Sequence, residues 1–373
     1  MKPVIYLDYQ ATTPLAPEAA AAMRPWLDAK FANPHSPHRL GREASAVVEL
    51  ARDRITGVLG GTGGRLLFTG GATEAANMAI QGALRAAHPA RRKVVTIVTE
   101  HACVRDTALW LGRNGFECEL LPVGPDGLVS LDMAERVIDA RTALVAVMLV
   151  NNEIGVIQPV AQIATIARKN GALFFCDAVQ GFGRVSLPID ACDLIALSAH
   201  KVYGPKGIGA LWVRDGVTLE PLLHGGGQEG GIRSGTLSPA LCVGFGAAAV
   251  LLAERREQDA AHVATLSAMA LDYLSDWSIN GSIYDRYAGN LNVRVKGLDA
   301  ARLISEVRGV AFSAGSACAS GSGRPSHVLS ALGLSDAEAR SSIRLGFGRY
   351  TTEGELRTAL ELIEEGARRQ GVM

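Results

Sequence analysis

The chain has no surplus of either charge. Its 37 lysines and arginines are matched by 37 aspartates and glutamates over 373 residues. The basic excess usual in nucleic-acid binders is missing, so no direct nucleic-acid contact is expected. No apolar run reaches the roughly 18 residues of a membrane helix, and no membrane partner is expected. Cysteine is scarce: the six are Cys103, Cys118, Cys176, Cys192, Cys242 and Cys318. None forms a C-x-x-C pair, and no Cys/His group has zinc-finger spacing, which argues against a disulfide scaffold or a zinc module. A charged Asp8 stands where a signal peptide needs an apolar core. A reducing cytoplasm is therefore the expected location. Also missing are the Lys-[Ser/Thr] end of a Walker A loop, H-E-x-x-H and G-x-S-x-G. The glycine-rich run 60–64 precedes a strand instead of following one, which suits a mobile turn better than a dinucleotide loop. What the chain does have is apolar bulk: 48% of its residues are hydrophobic, enough to build a sizeable core and to exclude disorder.

That bulk is patterned. Short, continuous apolar runs lie at Leu66–Phe68, Val94–Val98, Ala143–Val150, Ala172–Cys176 and Leu194–Leu197, with Leu211–Val213 beyond them. Helical spacing lies between them at Thr73–Ala87, Val104–Arg113 and Val160–Asn170. Strands buried on both faces read this way, and intervening helices imply parallel crossovers. The reading predicts an α/β fold, with a mostly parallel central sheet flanked by helices. A long helix, Pro239–Gln258, then leads to a smaller α/β unit containing Leu291–Val295, Ala301–Val307, Val310–Ser313, Ser341–Leu345 and Glu353–Arg369. The boundary is expected near residue 255.

Four local features carry chemistry. Thr69-Gly70-Gly71-Ala72-Thr73-Glu74 lies between a strand and a helix, where free N–H groups suit a phosphate; the bland alternative is a helix start capped by Thr73. Asp177 follows a buried strand, where open α/β sheets bind ligands, or it is simply a helix cap. Lys201 sits behind Ser198 and His200 and ahead of a Gly/Pro turn, a setting in which a partly desolvated lysine can form a Schiff base. A surface lysine is the alternative. Cys318 lies in a small-residue loop, 313–323, where a thiol is available as a nucleophile. Pyridoxal 5'-phosphate (PLP) needs a Schiff-base lysine, a carboxylate on its ring nitrogen and a phosphate cradle. Lys201, Asp177 and the Thr73 turn supply all three.

At this point the sequence resembles the PLP-dependent cysteine desulfurases of the NifS/IscS family, of class V aminotransferase-like fold type I. The likeness spans nearly the whole chain. It rests on segments 6–14, 69–74, 99–101, 150–155, 177–180, 198–207, 233–236, 315–318 and 341–344. The cysteine loop is similar to that of the first group, with its longer loop, rather than to the SufS-like group. The resemblance implies that Lys201 holds PLP and shuttles protons, that Asp177 pairs with the ring nitrogen, and that His101 stacks on the ring and serves in acid–base steps. It further implies that Gln180 and Asn152 contact the ring oxygen region, with Asn152 also facing substrate. Ala72, Thr73, Ser198 and His200 would bind the phosphate. Thr236 would reach a phosphate in a partner subunit, so a homodimer is expected. Arg344 would hold the substrate carboxylate, unless it pairs with a structural carboxylate. Cys103, two residues from His101, reads as packing rather than as the nucleophile.

The implied reaction converts L-cysteine to L-alanine, leaving the sulfur on Cys318 as a persulfide. An acceptor protein, such as an IscU-like scaffold, would take it for iron–sulfur cluster, tRNA or thio-cofactor synthesis. The rival readings are a selenocysteine lyase, another aminotransferase-fold PLP enzyme, and a non-catalytic sulfur-transfer partner. Two departures stand out. Glu229 is followed by Gly230-Gly231 where many relatives have Arg-Gly, and the C-terminal tail reads as shortened. By resemblance the division is 16–255 for the large unit, and 1–15 with 256–373 for the small one.

Overall fold

The computed structural model describes residues 4–315 and 326–372. Its main sheet has seven strands, in the spatial order Gly64–Thr69, Gly209–Arg214, Leu194–Ser198, Leu173–Asp177, Thr142–Met148, Lys93–Ile97 and Glu117–Leu121. From Leu194–Ser198 outward to Glu117–Leu121 every pair is parallel. Gly209–Arg214 is antiparallel to both of its neighbours. Only residues 199–208 separate it from the preceding strand, whereas a parallel return needs about a dozen residues or more. The expected mostly parallel α/β sheet is therefore present, with one reversed strand.

Side chains alternate across the sheet as strand geometry requires. Leu66 and Phe68 enter one apolar cluster, while Leu67 enters the other. The same split separates Phe174 from Phe175, and Leu144 from Val145. Helices cover both faces. Ala72–Ala86 packs Met78 and Ile80 into the Leu67 cluster. Arg39–Leu59 buries Val48, Ile55 and Leu59 on the other side, as does Pro239–Glu254 through Phe245 and Leu252. The parallel strands all end toward one edge, and their C-terminal ends carry Asp177 and Ser198.

A second, antiparallel sheet orders Ser313–Ala314, Ser342–Gly346, Asn290–Arg294 and Ser278–Ile279. Helices Arg256–Tyr273, Ala300–Glu306 and Glu353–Arg369 bury Leu266, Leu303 and Leu360 against it. Leu7, from the start of the chain, joins the same cluster, and Ile5–Tyr6 pairs with Val310–Ala311. The long helix expected at 239–258 ends at Glu254, and a separate helix starts at Arg256. No helix among the described residues is long and apolar enough to cross a membrane.

One buried carboxylate ties the loop after residue 224 to the sheet. Glu229 accepts two hydrogen bonds from the Arg52 guanidinium, at 2.8 and 2.9 Å, and one from the Phe68 amide at 2.6 Å. Glu229 has φ +47°, and the glycines after it continue at +65° and +81°. Gly230 thus occupies a backbone conformation that glycine adopts at little cost. Replacing Glu229 with Ala strands a half-buried guanidinium and a strand amide. A loss of about 3–5 kcal/mol in denaturant unfolding is expected, and a loss under about 1 kcal/mol would show that the pair is not structural.

Candidate active site

The strand ends open onto a cavity of about 620 Å3. Ala72, Thr73, His101, Asn152, Asp177, Gln180, Ser198, His200, Lys201 and Arg344 all line it. Residues separated by more than 270 positions in sequence are thereby brought together at one sheet edge. Thr236 does not line the cavity and is exposed on the surface of the single chain. Cys318 lies outside the described residues.

At one end of the cavity is the start of helix Ala72–Ala86. Its N-cap is Gly71, not Thr73, and no side chain caps it. The first-turn amides therefore keep their donor capacity beside the positive end of the helix dipole. Gly209 lets the turn pack this closely: a Cβ there would lie 2.7 Å from the carbonyl carbon of Gly71. Glu74 contributes a carboxylate nearby. It accepts from the Gly70 amide at 2.6 Å and pairs with Arg233 at 2.7 Å, so its charge is matched. His200 lies within hydrogen-bonding distance of Thr12 Oγ1, at 3.1 Å. Burial, then the charges of Lys201 and Lys206, lowers His200 to about 4, so this imidazole is neutral at physiological pH.

Asp177 ends its strand, and its Oδ1 accepts the Val179 amide at 3.0 Å. Burial raises this carboxyl, while His101 and Lys201 pull it down. Beside it Glu100 is completely buried, accepts the Met148 amide at 2.5 Å and leaves Oε2 without a partner among the described residues. Burial and then Asp177 push the Glu100 carboxyl well above the ordinary carboxylate range. Lys201 lies in the short turn after Leu194–Ser198. Its Nζ donates to the carbonyls of Gln10 at 2.5 Å and Ala11 at 2.8 Å.

Two expected ligands are already engaged. Gln180 Nε2 donates to the Gln10 carbonyl at 2.9 Å, and its Oε1 accepts from Arg184 at 3.0 Å. Arg344 Nη2 pairs with Asp8 at 2.7 Å, Nη1 donates to the Asn152 carbonyl at 3.0 Å, and Nε is buried with no partner among the described residues. A carboxylate arriving at Arg344 would share it with Asp8. The sequence reading assigned no role to Gln10, Ala11 or Thr12, and these hold the lysine and the His200 ring. They act mostly through main-chain oxygens, which leave no signature in residue type.

Glu153, next to Asn152, accepts a hydrogen bond from Ser326 Oγ. Burial pushes its carboxyl up to about 7, against the pull of Ser326 and Arg344. The native chain then keeps a proton that the unfolded chain loses near 4.5. Stability from this group is present below that value and lost as pH rises toward about 7. The melting temperature of Glu153→Gln should thus gain on wild type between about pH 5 and about pH 8, and a constant difference would exclude this titration.

The donor set fits PLP on three counts. The uncapped helix start with Thr73 and Ser198 offers a phosphate cradle, Asp177 a buried carboxylate, and Lys201 an amine in the same cavity. The cavity is also within the usual size range for a cofactor, about 300–1,000 Å3.

Residues 5–358 match the sequence profile of the family described as Aminotransferase class-V. The chain belongs to that family. Within it, the chain is 44% identical to a protein named Cysteine desulfurase IscS from Rickettsia bellii, over 96% of this chain and 90% of that one. Among solved structures it superposes on a "NIFS-LIKE PROTEIN" with a TM-score of 0.91 at 32% identity, covering 97% of this chain and 98% of the other. It also superposes on "SspA in complex with cysteine", with a TM-score of 0.82 at 35% identity, over 93% and 99% of the two chains.

Proposed function

We propose that this chain is a PLP-dependent cysteine desulfurase that takes sulfur from L-cysteine onto Cys318 and releases L-alanine. The observation that carries the reading is the convergence of Lys201, Asp177, His101 and an uncapped helix start on one cavity. Bound there, PLP supplies an electron sink for bond breaking next to the substrate amino group. The chain's own residues do the rest. The Thr73 turn, Ser198 and the neutral His200 orient the phosphate end, and Asp177 holds the ring nitrogen protonated. Lys201 Nζ is the covalent attachment point and carries the proton at the substrate Cα. Arg344 and Asn152 position the substrate carboxylate.

The Cys318 thiolate then attacks the substrate sulfur. An S–S bond forms, the Cβ–S bond breaks, and Cβ gains a proton to give alanine. The step is balanced without an external oxidant or reductant. Four other cysteines are poorly suited to it: burial raises the thiols of Cys103 and Cys118, and that of Cys242 to about 12, while contact with Cys192 and then burial raise that of Cys176. A thiol held protonated is a weak nucleophile.

The same reading assigns residues 16–255 to a cofactor unit, and 1–15 with 256–373 to a smaller one. Separate apolar clusters on the two sheets support that division. Thr236 completes a phosphate site in a second copy, so the working form is a homodimer; its exposure on the single chain supports this reading. The sulfur passes to an acceptor protein in the cytoplasm. The test is L-cysteine treatment followed by mass spectrometry of the peptide containing Cys318. One added sulfur with stoichiometric alanine supports the reading. Keto-acid formation with an unmodified Cys318 would replace it with an aminotransferase.

A further inference from the structure

We propose that Cys103 is a positioning residue that holds His101 in its neutral form with the ring proton on Nε2, by directing both its amide and its thiol at Nδ1. His101 is the N-cap of helix Ala102–Gly112, and its ring serves as the capping group. The Cys103 amide nitrogen lies 3.2 Å from Nδ1. An amide can only donate, so Nδ1 must present a lone pair. The proton of the neutral ring is then on Nε2. The Cys103 Sγ lies 3.1 Å from the same Nδ1. Burial, followed by the charges of Asp177 and Glu100, keeps that sulfur a thiol, so it too has a hydrogen to donate.

The cation is opposed by this arrangement. Imidazolium needs a proton on Nδ1, where it would face two donors and the positive end of a helix. The charged and titratable groups around the ring come from four other places in the fold and one place on its own helix. Asp177, ending its strand, and Asp106, further along the helix, favour the cation, while Lys201 disfavours it. His327, at the start of helix His327–Ala331, interacts with the ring, and its Nε2 donates to the Glu100 carbonyl at 2.9 Å. Glu100, next to His101 in sequence, has its carboxyl pushed upward by burial and then by Asp177. Burial of His101 outweighs the rest, and its direction is downward.

The chemical consequence concerns one atom. With Nδ1 occupied, His101 exchanges protons through Nε2, and in its neutral form Nε2–H is a donor. Its default role in the cavity is therefore acid or hydrogen-bond donor. It becomes a base only after giving up that proton or breaking the cap. Cys103, read from sequence as packing, lines the cavity and sets this state.

The inference deepens the proposed function but is measured apart from it. Long-range proton–nitrogen NMR of the His101 ring, assigned with His101→Gln, would be recorded across a pH titration with and without PLP. The expected result is a bare Nδ1 and a protonated Nε2 at neutral pH, with titration below the ordinary imidazole value. In Cys103→Ala the titration should move up by about half to one pH unit, the worth of one hydrogen bond. Cys103→Ser keeps a donor and should restore the wild-type value. A protonated Nδ1 in the wild type would overturn the proposal without need of any variant. An unchanged titration in Cys103→Ala, or an equal shift in both variants, would overturn the role of the thiol. A desulfurase assay that fails while these spectra hold would count against the function alone.

Discussion

Lys201→Ala should lose the covalent link to PLP and, with it, activity by at least about 100- to 10,000-fold, the range for removing one proton-transferring group. Two lysines line the cavity, Lys201 and Lys206. Their settings differ. Lys206 is exposed, whereas Lys201 is half-buried with its amine drawn to two main-chain carbonyls of the N-terminal segment. Borohydride reduction followed by peptide mass spectrometry would locate the adduct, and visible absorption would follow it in solution. The adduct should vanish in Lys201→Ala and persist in Lys206→Ala. The reverse pattern would move the attachment point by five residues and dismantle the assignment of the turn. Noncovalent PLP should still bind the Lys201→Ala chain, because the phosphate cradle and Asp177 are untouched.

Cys318→Ala should retain PLP and its visible spectrum yet yield no sulfur-modified enzyme. Alanine formation should fall by about 100-fold or more, since the nucleophile that splits the reaction into two steps is gone. Alanine and sulfide would be measured together, with a thiol reductant present. Sulfide release at the wild-type rate would mean that the substrate sulfur leaves without passing through Cys318. No cysteine among the described residues is an evident substitute. Cys103 is nearest to the chemistry, but burial and the flanking carboxyl groups hold its thiol protonated.

The sheet was legible because its central strands are buried on both faces. Thr142–Met148 and Leu194–Ser198 are buried at every position, so their sequences read as unbroken apolar runs. The edge strand Glu117–Leu121 was not legible in that way. Its burial alternates, and its charged glutamates resemble a loop. Helix Arg39–Leu59 did carry a signal, since Ala44, Val48, Ala51, Ile55 and Leu59 repeat at helical spacing on its buried side. The break at Arg255 had none: neither Pro nor Gly marks it. In the site, residues at strand ends could be read from sequence because residue type and position coincide there. The carbonyls of Gln10 and Ala11 could not, because every residue has a carbonyl. The Asp8–Arg344 pair was equally hidden, with 336 positions between its partners.

That N-terminal segment sets a timetable for the newly made chain. Its carbonyls hold Lys201, its Leu7 packs into the second sheet's core, and its Asp8 meets Arg344 on a strand made 336 residues later. The first dozen residues leave the ribosome early but have no complete binding place until residues 342–346 have emerged. The lysine pocket is therefore finished only after residues 342–346 have emerged; a chain cut before them would keep Gln10 and Ala11 but lack the strand on which their segment docks. PLP, binding the finished pocket in preference to its parts, would favour chains in which it is assembled and add to their resistance to unfolding.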